Sequence, residues 1–508
     1  KFAPEARGHG VPEVMDAIYY NGGVIRPVVA VVKSLASAIS IGSGAAVGRE
    51  GPIIQIGSAL GSTLGQIIRM PAGQRITLVA AGAGAGIAAT FNTPIGGVMF
   101  AVELMMPEVS VRTFLPVAIA TGTATFVGRL FFGQQPAFVV PLPPLENADL
   151  GAALLLFLYA ILGVITGLAA TGFIRGLHFL EDWFDKIRQA YARHILGMLL
   201  VGILIYLLHQ SFGHYYVEGV GYATVQAIVF GQLTASSLLA LLFVAKLFAT
   251  TVSLGSGASG GIFSPSLFMG ATIGGAFASA LVGFHVPLDI NVPAFAMVGM
   301  GAMVGGATGA AMTAVTMIFE MTRDYNIVLP MILAVAFSLG VRRLLSPENI
   351  YTLKLARRGH LVPKALHANM FLVRRASEVM ETDILVLPAE TALDDFLSRP
   401  DHGGRMRHVI VSRSNRIVGV VRVNTGLRRG LEGVHTGITL GDVARPNFTI
   451  VREEDVVFEV IQRIWRKRAV TAVVVRGGGV PRPQKIAGVI TKEHVADSVA
   501  SSVQIYPS

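Results

Sequence analysis

The stretch GREGPIIQIGSALG at residues 48–61 is repeated in outline by GIFSPSLFMGATIG at residues 261–274. The first glycine, the proline and the two later glycines of each stretch are related by a constant offset in numbering of 213 (261 − 48). A second set has a constant offset of 217 (320 − 103): Gly82, Gly84 and Glu103 against Gly299, Gly301 and Glu320. Because chance rarely aligns prolines and single glutamates together with glycines, the sequence predicts two halves that carry the same elements in the same order.

Each repeated element has the form G-x-x-x-P, which is typical of a helix start. Glycine lets the backbone come close to a ligand, and proline is tolerated in the first turn of a helix. Several free N–H groups and the positive end of the helix dipole then face one point. The pattern therefore predicts a site for an anion that can bind without a buried lysine and can leave quickly.

The composition indicates a membrane protein. Of 508 residues, 52% are apolar and 14% charged, and the mean hydropathy is +0.61. Some apolar runs reach the ~20 residues that a spanning helix needs. Others are short and interrupted by glycine or proline, which in hydrocarbon requires burial in protein or a polar cavity. The net charge of +10 is not gathered in one basic stripe, so a positive-inside bias is expected and nucleic-acid binding is not.

Two classes of chemistry are excluded by residue types. The chain has no cysteine, so disulfides and thiolate metal sites are ruled out. The sequence shows no set of nucleophile, base and orienting group, and no cluster of metal ligands. We therefore expect neither an enzyme nor a resident metal or other cofactor.

The composition changes after Arg358, where short β-rich runs begin to alternate with amphipathic stretches. We predict a membrane domain over residues 1–358 and an α/β module over residues 359–508. The module also duplicates, with copies expected at about 372–431 and 436–502.

Four motifs carry a resemblance to a known family: GSGAAVGREGPIIQIGS, FNTPIGGVMFAVE, GASGGIFSP and NIYTLKLARRG. They resemble the CLC family of chloride channels and chloride/proton exchangers along essentially the whole chain. The resemblance implies an all-α, multi-pass domain of two inverted repeats with broken helices in the cell membrane. It also implies a homodimer with one chloride pore per subunit and a cytoplasmic pair of CBS domains. The similarity starts inside the family's first conserved stretch, so the leading helices of that fold are expected to precede Lys1.

The resemblance assigns the gate to Glu50, whose carboxylate competes with chloride and opens the path when it swings away or is protonated. A carboxylate beside a helix start does imitate a permeant anion, and protonation would link its occupancy to pH. From the residues alone an alternative stays open, in which Glu50 is an ordinary acid of a first helical turn paired with Arg49.

The resemblance also implies the anion ligands. They are the backbone N–H groups of Gly51, Ile262 and Phe263 and the hydroxyl of Tyr351, with Arg49 included in the anion-binding set. His9 stands where many family members have a chloride-coordinating serine. Either its imidazole contributes to the site and titrates near physiological pH, or it packs against the helix start and only its backbone N–H faces the ion.

The stretch AVELMM bears on proton coupling. Proton-coupled members resemble it but carry two consecutive acids, whereas here Glu103 is followed by Leu104 at the relay position. Since leucine cannot carry a proton, we predict a passive channel in which Glu103 and its repeat partner Glu320 are structural acids. An exchanger that uses water or Glu103 as its proton route is the alternative.

Nucleotide binding by the tail is weakly indicated. Binding-competent CBS copies have a threonine and, three residues later, an aspartate; here the pairs are Arg422 with Thr425 and Thr491 with His494. Thr491 is the remaining candidate for contact with an adenine nucleotide, and a structural or dimer-stabilising role is favoured. A third reading, a membrane-anchored sensor with a vestigial pore, is disfavoured by the intact motifs and Tyr351.

Overall fold

A computed structural model describes residues 3–134, 150–362, 370–398, 408–422, 437–477 and 482–495. The chain forms two compact units, residues 1–362 and 363–508. This division lies four residues beyond the predicted boundary at 358.

The first unit is helical throughout its described part. Within that part, six helices (α6, α7, α8, α10, α11 and α14 below) are long and apolar enough to cross a membrane, and four further apolar helices are shorter. A π-helical turn, Ala101–Met105, extends α5. The helices are α1 (Val11–Tyr20), α2 (Val28–Gly42), α3 (Glu50–Ile67), α4 (Ala72–Phe91), α5 (Pro94–Phe100), α6 (Val111–Phe132), α7 (Leu150–Asp185), α8 (Ala190–Phe212), α9 (Tyr222–Val229), α10 (Ser236–Ser256), α11 (Phe263–Gly283), α12 (Val292–Thr308), α13 (Ala311–Thr322), α14 (Val328–Leu345) and α15 (Thr352–Arg357).

The repeated glycines outside the helix starts serve close helix packing. A Cβ on Gly57 would collide with the Gly82 carbonyl oxygen, so α3 and α4 approach each other backbone to backbone. A Cβ on Gly270 would collide with the Gly299 carbonyl oxygen, which joins α11 and α12 in the same way. Small residues at such crossings let helix backbones pack closely, which matters in a bilayer because the hydrophobic effect contributes little to helix association there. The two halves therefore share a helix pair, as the constant offsets predict.

Within its described residues, the second unit contains two three-stranded sheets of identical topology. In each sheet the first strand pairs parallel with the second, and the second pairs antiparallel with the third. The strands are β1 (Ile384–Pro388), β2 (His408–Arg413), β3 (Arg416–Arg422), β4 (Phe448–Arg452), β5 (Thr471–Val475) and β6 (Ile486–Thr491). The helices are α16 (Ala376–Val379), α17 (Leu393–Ser398), α18 (Leu440–Val443) and α19 (Val457–Arg466).

The two sheets share a small core and exchange their leading segments. Ile410 and Val420 of the first sheet cluster with Val473 and Val489 of the second. Ala376, which precedes the first sheet, packs into the core of the second. The α/β character and the duplication predicted for the tail are thus confirmed. The predicted copy limits include residues outside the described ranges and stay predictions.

Candidate anion site

The two helix starts of the repeated motif meet in the structure. Gly48 and Gly261 form an antiparallel bridge, with N···O distances of 2.7 and 2.5 Å, just before α3 and α11 begin. The first N–H groups of a helix lack intrahelical acceptors, and the helix dipole adds positive charge at that end. The bridge therefore brings two positive helix ends together, where an anion would be stabilised.

Each helix start packs against a loop with the pattern G-x-G. The first loop (residues 8–10) ends at Gly10, with φ +83°, and a Cβ there would lie 2.7 Å from Gln55 Oε1 on α3. The second loop (residues 219–221) ends at Gly221, with φ +78°, and a Cβ there would lie 2.6 Å from Phe268 Cδ2 on α11. Gln55 and Phe268 are related by the same offset as the motifs (268 − 55), so the two loops occupy equivalent places. Only glycine meets both demands, positive φ and close approach.

A buried lysine holds each loop. Lys33 on α2 and Lys246 on α10 are fully buried, and the offset of the repeat relates them too (246 − 33). Each Nζ donates to two carbonyl oxygens: Lys33 to Ala6 (3.0 Å) and Gly8 (2.7 Å), and Lys246 to Val217 (2.9 Å) and Gly219 (2.7 Å). A buried cation needs such partners, and here the partners are the loops beside the helix starts.

Glu50 is fully buried, and its carboxylate lies at the start of the opposite helix, α11. It accepts a hydrogen bond from the backbone N–H of Ser264 at 3.3 Å and another from the Ser264 hydroxyl. The Tyr222 hydroxyl on α9 donates to Oε1 of Glu50 at 2.6 Å. The carboxylate of one repeat thus takes the place that an anion would take at the helix start of the other.

Arg49 turns toward a large cavity, which is called the outer cavity below because of its place in the proposed ion path. Within the described part of the chain its guanidinium lies over the Tyr222 ring, 5.5 Å from the centroid, and forms no ion pair with Glu50. The alternative pairing of these two neighbours is therefore not found. The cavity measures about 1090 Å³ and is lined by Arg49, Tyr222, Phe91 and Arg129 among others. Its two arginines give an anion a positively charged approach to Glu50.

His9 and Tyr351 lie beside each other. Both side chains are buried, and their ring centroids are 5.8 Å apart. Neither ring nitrogen of His9 has a hydrogen-bond partner among the described residues. The remaining predicted ligands lie at the helix starts: Gly51 in the first turn of α3, and Ile262 and Phe263 where α11 begins.

Glu103 and Glu320 exchange contacts between the halves. The Glu103 carboxylate accepts from the backbone N–H groups of Met312 (2.9 Å) and Thr313 (2.7 Å) at the start of α13, and from the Thr313 hydroxyl (2.6 Å). The Glu320 carboxylate accepts from the N–H groups of Ile95 (3.1 Å) and Gly96 (2.7 Å) at the start of α5. Leu104 is buried beside Glu103 in the π-helical turn. Each acid caps a helix of the other half, as a structural acid does.

Four residues of the site escaped the sequence reasoning: Tyr222, Ser264, Lys33 and Lys246. The offset of 213 would have found three of them, because it relates the two lysines and relates Ser264 to Gly51 (264 − 51). Tyr222 directly follows the second G-x-G loop, whose offset from the first loop is 211 (219 − 8). The repeat therefore carries a signal at Lys33, Lys246 and Ser264 as well as at its glycines, prolines and glutamates.

In the tail, Thr491 lies beside a small cavity. The cavity measures about 90 Å³, and its lining includes His408, Arg422, Thr491 and Glu493. Arg422 and Glu493 form a bidentate ion pair, with Nη1 to Oε1 at 2.6 Å, and the Thr491 hydroxyl accepts from the His494 N–H at 3.2 Å. Ligand pockets usually reach about 300 Å³ or more, so this cavity is small for an adenine nucleotide. Thr425 lies outside the described residues.

Comparison with solved structures supports the fold. A slow cyanobacterial Cl⁻/H⁺ antiporter is 28% identical, with a TM-score of 0.61 over 70% of this chain and 82% of that one. A eukaryotic CLC transporter, at 19% identity, shares the fold with a TM-score of 0.58 over 97% of this chain and 86% of that one.

Comparison with known sequences identifies the family. A putative chloride channel protein ClcB-like of Ralstonia nicotianae is 33% identical over 363 residues, 68% of this chain and 80% of the relative. The H⁺/Cl⁻ exchange transporter ClcA of Vibrio parahaemolyticus is 34% identical over 370 residues, 70% of this chain and 76% of the relative. The profile of the voltage-gated chloride channel family matches residues 1–343. The chain therefore belongs to the voltage-gated chloride channel family, the CLC family of membrane transport proteins.

Proposed function

We propose that this protein is a passive, pH-sensitive chloride channel gated by Glu50. The observation that carries the proposal is the position of the Glu50 carboxylate, which accepts hydrogen bonds from Tyr222 and from Ser264 at the start of α11. Those donors suit chloride equally well, so a seated carboxylate and a chloride ion compete for one place. Protonation removes the charge that holds the side chain there, and the path opens.

The ion path runs from the outer cavity past Glu50 to His9 and Tyr351. In the open state the backbone N–H groups of Gly51, Ile262 and Phe263 line the path, and Arg49 supplies positive charge at its outer mouth. The Tyr351 hydroxyl donates at the other end. The unpartnered, buried imidazole of His9 supports the alternative in which its ring, and not only its backbone, reaches the ion.

Transport is uncoupled from protons in this proposal. Leu104 cannot cycle a proton, and the Glu103 carboxylate is held by donors of α13 rather than left free to swing. The alternative is a chloride/proton exchanger with a non-standard internal route. The relatives named ClcA support it, because their names describe H⁺/Cl⁻ exchange and they match 70% of this chain.

The remaining features of the proposal follow the family. The protein is a multi-pass homodimer of the cell membrane with its CBS pair in the cytoplasm, and it needs no cofactor. The pair has a structural role, since the small cavity and the Arg422–Glu493 ion pair at Thr491 count against adenine nucleotide.

Chloride efflux from liposomes tests the gate. Glu50→Gln keeps the shape of the side chain but removes its charge, so flux at neutral pH should rise and its pH dependence should largely disappear. The variant is compared with the natural protein across pH 5 to 8 under matched chloride gradients. Unchanged pH dependence would remove Glu50 from the gate.

Reversal potentials test the coupling. A channel follows the chloride equilibrium potential at every pH gradient, and a chloride gradient alone moves no protons uphill. Uphill proton movement would establish an exchanger. If that movement is lost in Glu103→Gln, the proton route includes Glu103; if it persists, the route lies elsewhere.

A further inference from the structure

The Tyr222 side chain stands between the outer cavity and the gate carboxylate. Its hydroxyl donates to Glu50 Oε1 at 2.6 Å and lies 2.8 Å from the Ser264 hydroxyl oxygen, which also contacts Glu50. Its ring lines the outer cavity with Arg49. No other part of the proposed path gives the carboxylate a phenolic donor within the described residues.

We propose that Tyr222 latches the closed gate by donating its hydroxyl to the seated Glu50 carboxylate, and so sets the pH at which the channel opens. The inference rests on the proposed gating role of Glu50 and adds a residue that determines its working range. Tyr222 is a positioning residue in this scheme, because it acts on chloride only through Glu50.

The direction of the effect follows from which form of Glu50 accepts the bond. An ionised carboxylate only accepts hydrogen bonds, so a phenol donor stabilises the ionised, seated form over the protonated one. Hydrogen bonds to charged groups are stronger than neutral ones. Removal of this donor lets Glu50 take up a proton at higher pH, so the activation curve moves toward higher pH.

The other charged and titratable groups near Glu50 stay in place when the hydroxyl is removed. They are Arg49, which directly precedes α3, Lys246 on α10 and Tyr351 just before α15. Tyr222→Phe keeps the ring beneath the Arg49 guanidinium and beside Phe91, whose ring centroid is 6.5 Å away. The substitution therefore isolates the hydroxyl.

Full-length protein in liposomes tests the latch with chloride as the probe. We expect Tyr222→Phe to raise the pH of half-maximal chloride efflux by about one unit, a tenfold change in proton concentration, because one charge-assisted donor is lost. Tyr159→Phe is the matched control, because the buried Tyr159 ring stacks on the Phe295 ring, with centroids 4.1 Å apart. Tyr159 has no part in the proposed gate. It should leave the pH midpoint where it is.

The same substitution made in the Glu50→Gln variant separates the latch from the gate. In Glu50→Gln the pH dependence is already removed, and Tyr222→Phe should then add no shift. A flat profile in Glu50→Gln together with an unmoved midpoint in Tyr222→Phe would overturn the latch and leave the gate standing. A lower flux in Tyr222→Phe at every pH, with the same midpoint, would overturn it too, because a merely structural role has that signature. Persistent pH dependence in Glu50→Gln would overturn the gate itself, and the latch with it.

Discussion

The first loop (residues 8–10) and the second loop (residues 219–221) share one framework but carry different chemistry. Both have the G-x-G pattern, both end in a glycine of positive φ against a helix start, and both are held by a buried lysine. The first places an unpartnered imidazole, His9, near Tyr351. The second is followed by Tyr222, which donates a hydrogen bond to Glu50.

The comparison separates the framework that both repeats share from the side chains that differ between them. Backbone, glycines and lysines are the same in both halves because, in the proposed mechanism, each half aims a helix start at the same ion. The side chains beside the two loops differ, since the proposed gate lies at one end of the path only. We therefore expect changes to the framework to act alike in the two halves and changes to the side chains to act differently.

The largest effect is expected from the two buried lysines. Lys33→Met and Lys246→Met each remove one donor from two carbonyl groups, and an unsatisfied buried acceptor costs about 1–3 kcal/mol. The two carbonyl groups that Lys33 contacts each keep a second donor, the Ser259 hydroxyl (3.1 Å) or the Gly260 N–H (3.4 Å), so the cost at Lys33 is expected to be the smaller of the two. Relief from burying a charge offsets part of this cost. Both variants should lower the midpoint of thermal unfolding in detergent and should reduce chloride flux.

Lys186→Met is the control, because Lys186 is exposed between α7 and α8. It should unfold like the natural protein. If one buried lysine proved essential and the other dispensable, the equivalence of the two loops would be wrong.

Much of this framework could be predicted from the sequence because repetition leaves a signal at fixed offsets. The helix starts and the duplicated tail follow from residues that recur, and the resemblance that these residues carry implies the proposed gate at Glu50. Glycine and proline are especially readable, since their backbone constraints are local.

The side-chain pairings could not be predicted because they join residues that are distant in the sequence. Tyr222 reaches Glu50 across 172 residues, and the Glu103 carboxylate reaches Thr313 across 210. Nothing in the local sequence of Tyr222 distinguishes a gate partner from an interfacial tyrosine. The packing of α9 against α11 and the Gly48–Gly261 bridge between the starts of α3 and α11 bring the two together.

A smaller effect is expected at the x position of the loops. If the imidazole of His9 faces the ion path, His9→Ser should shift the pH dependence on that side of the membrane by roughly a unit or more while conduction remains. Chloride flux with the pH varied on one side at a time measures this. Val220→Ser places the same side chain at the equivalent position of the second loop and should leave the curve unchanged.

An identical pH curve for His9→Ser would restrict His9 to its backbone N–H. Equal shifts in His9→Ser and Val220→Ser would mean that any change in these loops disturbs the gate. The two loops would then share their backbone framework, but the proposed chemical difference between their side chains would be wrong.

The smallest effect is expected at Tyr351, the counterpart of Tyr222 at the other end of the path. Its hydroxyl meets the ion directly in the proposed mechanism and has no hydrogen bond to Glu50 among the described residues. Tyr351→Phe therefore removes one donor to a bound ion, and the loss of about 0.5–1.5 kcal/mol should raise the half-saturating chloride concentration roughly 2- to 10-fold. The pH midpoint should stay in place, because the state of the gate carboxylate is unchanged. Efflux measured against chloride concentration and against pH gives both quantities, so the two tyrosines can be compared directly. A shift of the pH midpoint in Tyr351→Phe as large as that in Tyr222→Phe would mean that the two ends are coupled through the ion column, since no side-chain hydrogen bond joins Tyr351 to the gate within the described residues.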